Sequence, residues 1–264
     1  MNLDRFTFDG KFLMLALDHR GSIKKLMNPS DPDSISDEEV IQLKCDIINA
    51  LMDQFSGVLI DENFGLDAYP KHEKPFLLPL EKSSHSGITE LEYSIEDLIK
   101  LGASGAKILI DFDPDSENVP HQLELAKKVA EDCKLANFPF FLEIVTRTST
   151  PGVSTQIHTG SVQMFLDYGI APDVWKLEYP GSLDYCQEIT DLVGETPWIL
   201  LTGGQDFDSF KSDLEVATKG GAEGFLAGRA LWQEVCTMQG EEKQQFLQKT
   251  LPERFRIISN TILS

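Results

Sequence analysis

Four charged residues stand in or at the ends of apolar segments: Asp18 in "FLMLALD", Lys107 in "GAKILID", Glu143 in "FPFFLEIV" and Lys176 in "DVWKLE". One such charge is as readily a solvated rim residue or a member of an ordinary ion pair, but four together ask for a common purpose. A buried lysine must be paired or partly neutral, because desolvation penalises its charged form. A neutral amine attacks carbonyl carbon, and the protonated imine that follows draws electrons from a neighbouring carbon–carbon bond. Glu143 then suits the role of proton carrier, at carbinolamine dehydration and at the hydroxyl that becomes a carbonyl. Asp18 is placed to orient the nucleophile and bind substrate hydroxyls. The second lysine favours the neutral amine of the first and stabilises developing oxyanions. The residues alone leave Lys107 and Lys176 exchangeable as nucleophile.

A second group lies near the end of the chain. "LLTGGQDFDSF" and "GFLAGRALW" carry Gly203, Gly204, Gly228 and Arg229. Glycines let backbone N–H groups approach an anion, a short helix opening near Arg229 directs its positive end there, and the guanidinium adds a charge-assisted fork. The pair of loops is expected to cradle a phosphate. Asp61 and Glu62, after "GVLI", are expected to touch substrate or line its rim. Five histidines (His19, His72, His85, His121, His158) show no HxH or HExxH spacing, and four cysteines show no CxxC, so neither a metal nor a cofactor is expected. The cysteines and Trp175, Trp198 and Trp232 read as packing residues.

The elements that must position these groups are legible as eight apolar runs, at 12–18, 57–61, 75–80, 105–111, 138–145, 173–178, 197–201 and 222–228. Between most of them lie amphipathic stretches with helix-start signals, such as Ser36 with Glu39 in "SDEEVIQLKCDIINALMDQF". Strands alternating with helices imply a parallel sheet of the α/β class, and eight units in this length predict a single (β/α)8 TIM barrel spanning 1–264. In that fold chemistry sits at the C-terminal ends of strands, with phosphate sites in the loops after the seventh and eighth. Period-2 alternation puts Val174, Lys176 and Glu178 on one face and Trp175, Leu177 and Tyr179 on the other. The bulky set suits the helix layer, which turns Lys176 into the barrel; the same parity turns Lys107, Asp111 and Glu143 inward, and Asp18 with Met14 and Ala16. The tail 241–264 reads as a terminal helix, interrupted at Pro252.

The formal charge of −20 disfavours nucleic acid and anionic membranes as partners, and makes the few buried cations the informative residues for an anionic substrate. No run of 18 apolar residues and no secretory signal pattern occur, so a cytoplasmic protein is expected. A homo-oligomer is expected, of unspecified subunit number.

In order along nearly the whole chain, "LALDHRGSIKKLM", "GVLIDENFGL", "GAKILIDFDPD", "PFFLEIV", "DVWKLEYP", "PWILLTGG" and "GAEGFLAGRALWQEV" resemble the class I aldolases of the tagatose 1,6-bisphosphate aldolase family. The sulfofructose 1-phosphate aldolases are similar. The resemblance implies a metal-free (β/α)8 barrel that splits a phosphorylated ketose, a 1-phosphate or 1,6-bisphosphate, into dihydroxyacetone phosphate and an aldehyde through a lysine Schiff base. The family's sixth-strand "KVE" lysine matches Lys176, which makes it the nucleophile. Its fifth-strand acid matches Glu143, its first-strand aspartate Asp18, its fourth-strand lysine Lys107, and its phosphate loops Gly203, Gly204, Gly228 and Arg229. His19 departs from the family's usual glutamine in "DQR". Arg20 and the loop "LEKSSHSG", with Lys82, are expected to contact the far group of the ketose. Rival readings are a transaldolase using the same imine and a sugar-phosphate-binding protein without turnover.

Overall fold

The computed structural model describes residues 3–83, 88–147 and 156–264. All eight apolar runs form strands: β1 (Phe12–Leu17), β2 (Gly57–Ile60), β3 (Phe76–Pro79), β4 (Gly105–Phe112), β5 (Phe140–Thr146), β6 (Val174–Leu177), β7 (Trp198–Leu201) and β8 (Gly224–Ala227). They pair parallel in chain order, and β8 closes on β1. The connections carry α1 (Gly21–Met27), α2 (Asp37–Leu51), α3 (Gly65–Ala68), α4 (Ile95–Lys100), α5 (Val119–Ala136), α6 (Gln156–Asp167), α7 (Leu183–Val193), α8 (Phe207–Lys219) and α9 (Arg229–Trp232). The chain ends with α10 (Gly240–Gln245) and α11 (Leu251–Leu263). This is the (β/α)8 barrel that the pattern predicts.

Local chemistry starts these helices where the sequence signals. The Ser36 hydroxyl accepts the Glu39 N–H and the Glu39 carboxylate accepts the Ser36 N–H, a reciprocal cap repeated by Ser94 and Asp97 at α4. The buried stripe of α2, Val40, Leu43, Ile47 and Leu51, keeps the spacing of one helix face. In the tail, Pro252 does not break the helix. Its ring is accommodated by a π turn over Phe246–Thr250 that joins α10 to α11, so helical structure runs on through the proline.

Alternation along the strands divides the apolar side chains into two sets. Met14, Ala16, Leu59, Phe141, Val174 and Leu226 meet inside the barrel, whereas Leu15, Ile108, Trp175 and Leu177 face the helices. The inner set is sealed at the N-terminal end by a 3-10 turn, Asp4–Phe6, which inserts Phe6 beneath the strands. The ring of Phe6 meets that of Phe141 edge-on at 5.3 Å, and its carbonyl accepts the Ser56 hydroxyl. One end of the barrel is thus plugged by aromatic side chains, and polar groups collect at the other.

Candidate active site

A cavity of about 510 Å³ opens at the C-terminal ends of the strands. Its floor is an ion cluster. Lys107 Nζ lies 2.9 Å from Asp18 Oδ2, 2.5 Å from Glu81 Oε1 and 3.4 Å from Glu143 Oε2, while Lys176 Nζ lies 2.7 Å from the same Glu143 oxygen. Glu143 and Lys176 are register partners on β5 and β6, so strand pairing itself sets them side by side. Both ammoniums are shielded, with 1% of Lys107 and 4% of Lys176 exposed.

The two lysines differ in company. Burial acts to lower Lys107, but Asp18, Glu81 and Glu143 outweigh it and hold the amine well above its ordinary value, so Lys107 stays cationic. Lys176 contacts one carboxylate. Burial raises Asp18, yet Lys107 and Lys176 hold its carboxyl well below the usual carboxylate range. Glu81 goes the other way: burial raises it against the pull of Lys107.

Two buried polar atoms on the cavity wall, His19 Nδ1 and Glu81 Oε2, have no hydrogen-bond partner among the described residues. Buried acceptors without partners are costly, and hydroxyl groups of a polyol would satisfy them. His19 packs edge-on against Trp232 at 5.0 Å, and Trp232 donates its indole N–H to the Ala16 carbonyl. Burial first, then Arg229, Lys44 and Lys176, pushes the imidazole down to about 3 against an opposing pull from Asp18, so it is neutral.

Across the mouth, Gly203 and Gly204 adopt φ of +56° and +81°, a conformation that L side chains rarely take. A Cβ on Gly204 would lie 2.8 Å from Arg229 Cζ, so the missing side chain also makes room for the guanidinium. Gly228 precedes α9 and backs onto His19, whose Cε1 would stand 3.3 Å from a Cβ there. No carboxylate among the described residues pairs with Arg229, although it borders the cavity.

Two sequence-predicted contacts are placed differently. Asp61 does not reach the cavity. The strand ends at Ile60, so the alternation that turns Leu59 inward no longer governs the next residue; Asp61 is buried against Lys44 of α2 and accepts the Phe64 N–H at 2.9 Å. Lys44 also donates to the Leu17 carbonyl, tying α2 to the ends of β1 and β2. Arg20 does line the cavity, but its guanidinium is engaged by Glu62 at 2.9 Å, Glu92 at 3.0 Å and the Glu81 carbonyl at 2.7 Å, and so clamps the segment after β3. Lys82 borders the cavity, exposed and paired with Glu90, while residues 84–87 of that loop, His85 among them, lie outside the described residues. Glu81 is the residue that sequence reasoning missed. Parity continued beyond Leu77 and Pro79 turns it inward, but the apolar run ends at Leu80, one residue short of it. Among the described residues, no group of three or more His, Cys, Asp or Glu is arranged to hold a metal ion, and no helix is long and apolar enough to cross a membrane.

Residues 12–234 match the family model of the DeoC/LacD family aldolases. The chain belongs to that family. It is thereby a carbon–carbon lyase of the aldolase type. Among curated relatives, tagatose 1,6-diphosphate aldolase 1 of Streptococcus pyogenes serotype M3 is 25% identical, over 87% of this chain and 83% of its own. The tagatose 1,6-diphosphate aldolase of Staphylococcus haemolyticus is 25% identical, over 90% and 85% respectively. Among solved structures, an archaeal fructose 1,6-bisphosphate aldolase superposes with a TM-score of 0.70 at 21% identity, covering 96% of this chain and 97% of that one. A Schiff-base-forming fructose-1,6-bisphosphate aldolase gives 0.69 at 23%, covering 94% and 96%. These likenesses agree with the barrel described above.

Proposed function

We propose that the protein is a class I aldolase in which Lys176 forms a Schiff base with the C2 carbonyl of a ketose 1-phosphate, releasing an aldehyde and then dihydroxyacetone phosphate. The observation that carries this reading is the unequal company of the two buried lysines. Lys107, held by three carboxylates, keeps its proton and its charge. Lys176 shares one carboxylate, Glu143, which is in contact with it and can take a proton from it. The lysine in contact with a single carboxylate, itself a potential proton carrier, is the one suited to attack.

The steps follow from the placement. With its proton passed to Glu143, Lys176 Nζ adds to C2, and the carbonyl oxygen, protonated in turn, leaves as water to give the iminium. The C4 hydroxyl loses its proton to Glu143 as the C3–C4 bond breaks, and the bonding electrons move into the iminium to form an enamine. Protonation at C3 and hydrolysis of the imine then free the three-carbon product and return Lys176. Lys107 stabilises negative charge developing on substrate oxygens, and Asp18, which stays ionised, accepts hydroxyl hydrogen bonds. Backbone N–H groups around Gly203, Gly204 and Gly228, with Arg229, hold the C1 phosphate.

Borohydride reduction with dihydroxyacetone phosphate, followed by peptide mass spectrometry, tests the assignment. The peptide containing Lys176 should gain the reduced three-carbon adduct, and Lys176→Ala should abolish both the adduct and nearly all cleavage. A label on Lys107, or no label at all, would remove the proposal.

A further inference from the structure

Six cationic side chains border the cavity, and five of them already face carboxylates. Lys107 and Lys176 hold the floor cluster, Arg20 is fixed between Glu62 and Glu92, Lys82 pairs with Glu90, and Arg147 pairs with Asp111. Among the described residues only Arg229 borders the cavity with no carboxylate partner. Residues 84–87, "SHSG", and 148–155, "TSTPGVST", contain no lysine, arginine, aspartate or glutamate.

The two ends of the cavity therefore differ in sign. In a ring of eight strands β4 stands opposite β8, which leads to Arg229. On the β4–β6 side the rim carries Asp111, Arg147 and Glu178, two carboxylates to one guanidinium. Glu178 is fixed there by the Thr146 N–H, which it accepts at 2.7 Å. The Arg147 side chain is 65% exposed and that of Lys82 51%, so neither pair holds its cation firmly. Yet an Arg147 turned toward a phosphate would leave Asp111 facing that same phosphate beside Glu178. A hydroxyl, in contrast, donates to a carboxylate directly.

Resting on the aldolase reading above, we propose that the substrate carries a single phosphate, at the Arg229 end, and that its far end is an uncharged polyol. The preferred ketose is a 1-phosphate rather than a 1,6-bisphosphate, and the aldehyde released is unphosphorylated.

The test runs the reaction in the condensation direction on the full chain, after borohydride trapping with dihydroxyacetone phosphate has been scored at Lys176. D-glyceraldehyde and D-glyceraldehyde 3-phosphate are compared as acceptors. The unphosphorylated aldehyde should have the higher kcat/KM by about tenfold, the scale on which one uncompensated charge acts at this range. Glu178→Gln should shrink that ratio several-fold by removing a repelling charge, which a merely structural role for Glu178 would not do. Equal use of the two aldehydes, preference for the phosphorylated one, or a trapped adduct with no condensation of either overturns this inference while leaving the Schiff base standing. Absence of the adduct removes the aldolase reading and this inference with it.

Discussion

Replacing His19 by glutamine tests the electrostatics of the site through stability, independently of turnover. In the folded protein burial pushes the imidazole down to about 3, whereas the unfolded chain restores its ordinary value of 6.5. Between those values the unfolded chain binds the proton that the folded one refuses, so acidification favours unfolding. The contribution is fully present above pH 6.5 and is lost as pH falls toward 3. From these values the loss is about 0.2 kcal/mol at pH 7 and about 2 kcal/mol at pH 5, an upper bound because 18% of the side chain is exposed. Glutamine has no charge to acquire, and Asp18, held low chiefly by Lys107 and Lys176, stays ionised from pH 7 to pH 5 in both proteins. Urea unfolding at pH 7 and pH 5 should therefore show the wild type losing up to about 2 kcal/mol more than His19→Gln over that interval. Equal losses in the two proteins would mean that the imidazole charges freely in place, and that the neutral, acceptor-bearing His19 described above is wrong.

Two further outcomes follow from the same geometry. Arg229→Ala should raise KM for the phosphorylated ketose by about 10- to 100-fold with kcat nearly kept, since a charge-assisted contact to phosphate is worth about 1.5–3 kcal/mol in ground and transition state alike; steady-state kinetics would show it, and a collapse of kcat with KM unchanged would contradict it. Lys44→Met should destabilise the fold by about 3–5 kcal/mol in urea unfolding, because it strands the fully buried Asp61 carboxylate, and adding Asp61→Asn should recover part of that loss. A single variant as stable as the wild type would show that the pair is dispensable.

The sequence by itself determined the strands and the side to which Lys107, Glu143 and Lys176 point. Alternation is a property of a few consecutive residues: once "DVWKLE" is a strand and its tryptophan packs against helices, Lys176 must face inward, and the same local rule serves Lys107 and Glu143. Capping at Ser36 and Ser94 was legible for the same reason, since donor and acceptor lie three residues apart. What only the tertiary structure decided concerns partners brought from distant segments. Glu81, just beyond β3, crosses to Lys107 on β4 and helps to keep that amine charged, and this separates the two lysines that the residues alone left exchangeable. Asp61 turns to Lys44 on α2, and Arg20 to Glu62 and Glu92. Phe6 plugs a barrel end that no period announces. Each of these outcomes depends on the stagger of neighbouring strands and on where a chain leaves its strand, so it is set by the closed barrel as a whole.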